Sequence, residues 1–279
     1  MKTHKLMAII LFVTTSMNTI NVVAQNDLKE QISVALTDSS KPGSLEVKII
    51  RGSIHIVGYA GKEVIVDAVS KEGREKNEVS KDEAAKGLKR ISSGRNGLDL
   101  TIEEEKNNVS IKVAIPKNPV NLTIKVPMNF DLRVGTVNEG DVKIENVSGE
   151  MEISNVNGAI QLTNVSGSVV ANTVNGNLKG NFKAINQTAP MAFSTLNGAV
   201  DITFPASSKF DVKLKSDRGE IYSDFDIDVD KTVPKTVRTS NEGMQKVSIS
   251  DWVQGKVNGG GKEVMMKNMN GNIYVRKAK

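Results

Sequence analysis

Apolar and polar residues alternate along most of this chain, and between residues 140 and 176 the alternation becomes periodic. Gly140, Gly149, Gly158, Gly167 and Gly176 recur every nine residues. Two residues after each glycine stands an apolar one: Val142, Met151, Ile160, Val169 and Leu178. Four after come Ile144, Ile153, Leu162 and Ala171, before this column lapses at Gly180. Seven after come Val147, Val156, Val165 and Val174. The positions between are mostly polar, among them Lys143, Glu145, Glu152, Ser154, Gln161 and Thr163. Successive strand residues point to opposite faces, so the apolar columns face a core and the polar ones face solvent.

The bends carry their own signal. Asn146, Asn155 and Asn164 precede corner valines, and Asn157 and Asn175 precede glycine. Asn and Gly accept the positive φ that a tight bend needs. Each nine-residue unit is therefore one short strand and one bend. The residue before glycine alternates Ser148, Asn157, Ser166, Asn175, which points to an eighteen-residue coil with two strands. The expected fold is all-β: a single right-handed parallel β-solenoid whose identical columns stack in register. An antiparallel β-sandwich or meander, with "NG" as a hairpin turn, is the alternative. All the corner valines read as interior, so Val156→Asp should bury an unpaired charge. Gly158→Val should be costly if that residue has positive φ.

Further copies extend the array. Gly198 precedes Val200 and Ile202, Gly219 precedes Ile221, and Gly271 precedes Ile273 and Val275. Upstream, "GSLEVKIIRGSIHIVGYAGKEVIVDAVS" holds three alternating strands. "GLDLTIEEEKNNVSIKVAIP" and "VNLTIKVPMNFDLRV" read as two hairpin-like segments. One charged insertion near 71–97 interrupts the pattern, and its "KDEAAKGLKRI" suggests a short helix. The closing "VRKAK" would put charge at one end of the coil and discourage end-to-end pairing.

The first 24 residues stand outside the repeat. Lys2 and Lys5, an apolar run from Leu6 to Val13, and Val22 and Ala24 before a cut at Gln25 form a secretory signal-peptide pattern. The run is too short for a bilayer span of about 20 residues. Residues 25–279 then form one β domain, exported to the periplasm, the outer surface or the medium. Losing two lysines lowers the formal charge from +5 to about +3, a mild excess without a basic patch, so nucleic acid is not an expected partner. Cysteine is absent, so disulfides contribute nothing.

Candidate chemistry is sparse. His55 is the single histidine after the leader and alternates with Ile54 and Ile56, which reads as a solvent-facing strand residue. A Ser-His-Asp triad would have to be built on it. One His and no Cys argue against a zinc or iron site. A calcium roll needs Asp at its corners, where this chain has Asn, Ser and Gly. Asp224, Asp226, Asp228 and Asp230 alternate with Phe225, Ile227 and Val229 as an acidic row, read as a solvated face. Trp252 reads as an end-cap core residue, and Gly259, Gly260 and Gly261 as a flexible bend. No catalytic, metal or cofactor residues are assigned. The candidate contact ladder is Lys143, Glu145, Glu152, Ser154, Gln161 and Thr163.

The "NVSGE…SNVNG…NVSGS…TVNG" array, "PMAFSTLNGAVDITFP", "GEIYSDFDI" and "NGGGKEVMMKNMNGNIYVRK" resemble the bacterial putative-adhesin family. This is a domain-of-unknown-function family of exported β-strand-repeat envelope proteins, frequent in Bacteroidetes. "GSIHIVGYAGKEVIVDA" resembles its first strands. The resemblance implies a non-enzymatic envelope scaffold that contacts a surface glycan or protein, with no catalytic residues to carry over. Two other readings stay open: a carbohydrate-active β-helix enzyme and a periplasmic structural or envelope-stress accessory protein.

Overall fold

The structure, a computed structural model, describes residues 27–71, 99–114, 118–230, 236–241, 244–249 and 252–279. The signal-peptide segment and residues 72–97 of the charged insertion lie outside the described residues. Among the described residues there are twenty-two strands and no helix. The first four are β1 (Asp27–Ala35), β2 (Gly43–Arg51), β3 (Ile54–Tyr59) and β4 (Glu63–Lys71). Then follow β5 (Leu100–Glu105), β6 (Asn108–Val113), β7 (Val120–Pro127), β8 (Phe130–Asn138) and β9 (Val142–Glu145). The array continues as β10 (Ser148–Asn155), β11 (Ile160–Asn175), β12 (Leu178–Ile185), β13 (Met191–Asn197) and β14 (Val200–Phe204). Next are β15 (Phe210–Ser216), β16 (Ile221–Ser223), β17 (Ile227–Val229) and a separate hairpin, β18 (Thr236–Asn241) and β19 (Met244–Ile249). The last three are β20 (Val253–Val257), β21 (Glu263–Asn270) and β22 (Ile273–Lys277).

Array strands pair in parallel at an eighteen-residue offset. Val142 lies beside Ile160, Ile160 beside Leu178, and Gly149 beside Gly167. The arrangement is therefore a parallel coil with two strands per turn, not a meander, and the nine-residue comb divides between two stacks. The first stack runs β6, β2, β8, β10, the second half of β11, β13, β21, β15. The second runs β7, β3, β9, the first half of β11, β12, β14, β22, β16.

Spatial order departs from chain order at both ends. The β2–β3 coil sits between the β6–β7 and β8–β9 coils. The β21–β22 coil sits between the β13–β14 and β15–β16 coils. The terminal "VRKAK" strand is thus an interior rung and caps nothing, contrary to the expectation from sequence. Three of the four stack ends are flanked by a reversed strand instead. β5 lies antiparallel on β6, and β4 then β1 lie beyond β7. β20 lies antiparallel on β15, and β17 lies antiparallel on β20 in turn. At β6, β7 and β15 a strand of opposite direction thus occupies the edge with which another parallel coil would pair. The β5–β6 hairpin is as read from sequence. β7 and β8 form no hairpin, because the corner between them sends them to opposite stacks.

Two of the three expected core columns are wholly interior, from Val142 to Leu178 and from Ile144 to Ala171. Past the lapse at Gly180 the core changes filling rather than ending. Phe193, Phe182, Phe204, Phe210 and Phe225 form a ring-to-ring chain with centroid separations of 6.0, 5.4, 4.8 and 5.7 Å. Gly180 leaves room beside Phe182 and Ile202.

The two corners differ. At the "SG" corner Asn146 and Asn164 have φ of 58° and 55°, and Val147 and Val165 are buried. At the "NG" corner Val174 is exposed and Val156 half-buried. The inward position there belongs to the preceding polar residue, so Asn155 is 2 % exposed. The sequence reading of Val156 as interior is thus corrected: strand alternation continues through Asn155 and turns Val156 out. Val165→Asp should cost about 3 kcal/mol or more, because it buries a carboxylate without a partner. Val156→Asp should cost about 1 kcal/mol or less. Urea unfolding of both variants reads the difference, and equal costs would refute the two-corner geometry.

The "NG" corner also explains its glycines. Gly52, Gly140, Gly158, Gly176, Gly198, Gly271 and Gly219 stack in that order, and a Cβ on any one after the first would run into the carbonyl of the glycine beside it. Those carbonyls accept hydrogen bonds from buried or part-buried side chains. Thr136 donates to Gly52 at 2.8 Å, Asn155 to Gly140 at 3.0 Å, Thr173 to Gly158 at 2.9 Å and Thr195 to Gly176 at 2.9 Å. Asn268 to Gly198 at 3.1 Å and Ser216 to Gly271 at 2.9 Å continue the series. Gly149 and Gly167 belong to the other corner, where Gly167 has φ of 111°. Gly158 has no positive φ, so its requirement is close approach, not backbone conformation.

Candidate functional site

A coil whose alternate residues point outward displays ladders, and each ladder follows from the register. On the second stack the third residue after each corner glycine forms one column. In order it reads Thr123, His55, Lys143, Gln161, Lys179, Asp201, Tyr274, Tyr222. Eight rungs about 4.8 Å apart make a surface roughly 34 Å long. Two residues further on, Val57, Glu145 and Thr163 form a parallel column. Lys143, Gln161, Glu145 and Thr163 of the expected contact ladder thus share one face. Glu152 and Ser154 lie on the first stack, beside Arg133 and Gly135, on the other face. A nine-residue alignment merges the two faces; the eighteen-residue coil separates them.

His55 sits in this column, half-exposed, with Nε2 3.0 Å from Glu145 Oε1. Its neighbours Ile54 and Ile56 are buried, as the alternation predicts.

The column ends in an aromatic pair that the sequence reading passed over. The rings of Tyr274 and Tyr222 stack 5.4 Å apart at an interplanar angle of 11°, and Tyr222 is 51 % exposed. Arg276 lies 4.9 Å from the Tyr274 ring centroid and holds Asp201 through Nε at 2.6 Å and Nη2 at 3.1 Å. That hydrogen-bonded pairing raises the Arg276 pKa above its ordinary value, so its charge is permanent. Asn272 Nδ2 donates to the Tyr274 hydroxyl at 3.0 Å, which orients the ring. The signal was present in "GEIY" and "GNIY": both tyrosines stand third after their glycine, in register with Lys143 and Gln161. A flat pair of π-faces beside a cation and a carboxylate suits a planar or sugar-like ligand.

The first stack carries an open groove of about 520 Å³ lined by Glu46, Asp131, Arg133, Glu150, Glu152 and Pro190, among others. Two of its carboxylates have structural partners. Arg133 Nε donates to Glu152 at 3.0 Å, and Asp131 accepts the Glu150 backbone N–H at 2.7 Å.

Other residues singled out in the sequence have moved roles. The acidic row is broken by a bend after Ser223: Phe225 is buried, Val229 is exposed, and Asp228 pairs across the strands with Lys256. Trp252 is half-buried under Lys213, whose Nζ lies 5.1 Å from the ring centroid, and is not a core residue. Gly259 and Gly260, with φ of 90° and 86°, form the β20–β21 turn. That turn is pinned, because Asn258 Nδ2 donates to the Ala206 and Ser208 carbonyls at 3.0 and 2.8 Å. Among the described residues no three His, Cys, Asp or Glu side chains converge to hold a metal ion. Among them, too, no helix is long and apolar enough to cross a membrane.

The sequence profile described as Toastrack DUF4097 matches residues 12–276. No curated protein matches the chain. Three solved structures are similar in outline. A putative cell adhesion protein from Clostridium sporogenes is 11 % identical with a TM-score of 0.49, over 91 % of this chain and 100 % of that one. A putative adhesin from Bacteroides fragilis is 12 % identical at 0.39, over 91 % and 98 %. A putative lipid binding protein from Parabacteroides distasonis is 8 % identical at 0.28, over 91 % and 97 %.

Proposed function

This chain belongs to the Toastrack DUF4097 family, and from that premise we propose that it is a non-enzymatic, exported envelope protein whose second-stack face binds a surface glycan or protein. Its coil is right-handed, in keeping with the hand of parallel crossovers. The observation that carries the reading is the unbroken outward column from Thr123 to Tyr222, ending in the stacked tyrosines. Rungs held by backbone pairing need no ordering on contact, so many shallow contacts add with little entropic cost. Lys143, Gln161, Glu145 and Thr163 are the polar contacts and Tyr222 the stacking platform. Glu152 and Ser154 take no part, because they face away.

Binding of the purified protein to a glycan and host-protein array tests this. Tyr222→Ala should weaken the bound partner at least about tenfold, the scale of one lost aromatic contact, while Glu152→Ala leaves it unchanged. Binding insensitive to Tyr222 and Lys143 would refute the site. Glycan cleavage abolished by Glu152→Gln would establish the carbohydrate-active alternative. Resistance to protease shaving of intact cells would favour the periplasmic accessory role.

A further inference from the structure

We propose that the outer edge of β16 is a strand-addition site, which takes an extended peptide whose apolar residues alternate with an aromatic and a basic one. β16 closes the second stack. Of the four stack ends it is the one that no reversed strand flanks among the described residues. Its backbone groups divide by alternation. Those of Glu220, Tyr222 and Asp224 face β22: Ile273 N–H donates to the Glu220 carbonyl at 2.9 Å, and Asp224 N–H donates to the Val275 carbonyl at 2.9 Å. Those of Ile221 and Ser223 therefore face outward, in the spacing that a further parallel strand would meet.

Burial shows that this edge is open. On the earlier rungs the inward residues are buried, as with Ile160 and Leu162 or Ile273 and Val275. On β16 the same two positions are Ile221, half-buried, and Ser223, exposed. The first stack continues past this level. β20 lies on β15 and β17 on β20, so two strands overhang the end of the second stack. Their inward residues lack the cover that a facing strand gives elsewhere. Val253 and Ile227 are half-buried, and Val229 is 42 % exposed. The result is a step, with backbone donors and acceptors along its ledge and an apolar wall behind.

The step selects its occupant. A second copy laying its own β16 antiparallel on this edge would drive its first stack into β20 and β17 of the first copy. A single extended strand fits, because it needs one level about 4.8 Å deep. Its inward residues would rest on the wall at Val253 and Ile227, so they are apolar. Its outward residues would lie beside Glu220, Tyr222 and Asp224, all exposed. One face of the Tyr222 ring stacks on Tyr274 at 5.4 Å, and an aromatic side chain on the other face would continue the stack. A basic residue two positions on would lie beside Asp224 as a cross-strand ion pair. β22 shows the same pattern on the other side of β16, with Ile273 and Val275 inward and Tyr274 and Arg276 outward. The site shares Tyr222 with the face proposed to bind a glycan or protein, so the inference rests on that reading and gives the protein partner its form.

The probe is a labelled, end-blocked peptide with the sequence of β22 and its bend, Asn-Gly-Asn-Ile-Tyr-Val-Arg-Lys, titrated with the purified protein and read by fluorescence anisotropy. Half-saturation should fall below about one millimolar. With its tyrosine beside Tyr222 in parallel register, the peptide's Tyr and Arg amides donate to the Ile221 and Ser223 carbonyls, and its Ile and Val amides point away. N-methylation of the Tyr and Arg amides should weaken binding at least about tenfold. N-methylation of the Ile and Val amides should leave it unchanged. Tyr222→Ala should weaken binding about tenfold with an unchanged melting temperature. Asp224→Lys should weaken it too, and a peptide with Glu in place of Arg should recover the loss. No saturation at that concentration, equal effects of the two methylation patterns, or binding unchanged by Tyr222→Ala would overturn the proposal. So would acetyl-tyrosine amide competing as well as the peptide, which would show stacking without an added strand. Lys143→Ala should leave peptide binding intact while weakening the array partner, so each proposal can fail alone.

Discussion

Gly158→Val should be among the most damaging single substitutions in the coil. The new Cβ would collide with the Gly140 carbonyl oxygen and would stand 2.7 Å from Asn155 Nδ2 and 2.9 Å from the Gly140 carbonyl carbon. The obstacle is backbone held in parallel pairing, so relief requires the two coils to separate. Separation also breaks the Asn155 bond to Gly140 at 3.0 Å and strands a buried amide. Overpacking costs about 1–3 kcal/mol and an unsatisfied buried group a further ~1–3 kcal/mol. A total of about 2–6 kcal/mol corresponds to a melting point lower by roughly 10 °C in a chain of this size. Gly259 supplies the contrast. It has φ of 90° but nothing within 4 Å of a built Cβ, so Gly259→Ala carries only backbone strain of about 1 kcal/mol. Equal melting points for the two variants would show that stacking distance does not govern these glycines.

Phe204→Ala should cost about 3–5 kcal/mol, the range for a large buried aromatic. Phe204 is 0 % exposed and joins the ring chain at two points, stacking on Phe182 at 5.4 Å and tilting on Phe210 at 4.8 Å. Truncation leaves a cavity that the flanking strands cannot close, because β12 and β22 hold β14 from both sides. Phe204→Leu keeps most of the volume and should cost about 1.5 kcal/mol. Urea unfolding resolves the two. A cost below about 1 kcal/mol for Phe204→Ala would mean that the rings contribute no more than surface residues do.

Much of the architecture was legible before any coordinates. Apolar columns at two and four after glycine became the core, since burial selects apolar residues at every second strand position. The alternation of Ser and Asn before glycine marked the two-strand coil, because the two corners have different chemistry. "NG" glycines stack against backbone, whereas "SG" corners turn through Asn146 and Asn164 in the left-handed region. A nine-residue unit superposes two corners and two faces that the eighteen-residue coil keeps apart. It groups Val156 with Val165, and Glu152 with Lys143, although each pair lies on different corners or faces.

The chain by itself determined which residues are strand, which face inward and where the backbone bends. Those properties are local: alternation, small size and tolerance of positive φ are written in each short segment. Tertiary structure alone decided which coil lies on which. Val, Ile and Leu rungs pair equally well with any parallel neighbour, so nothing in their letters places β2–β3 above β8–β9 or slips β21–β22 between β14 and β16. That placement is what lines up Asp201, Tyr274 and Tyr222 from segments up to about seventy residues apart, and Ile50 with Val137 and Leu196 with Met269. The tyrosine-ended column exists only because coils distant in sequence are neighbours in space.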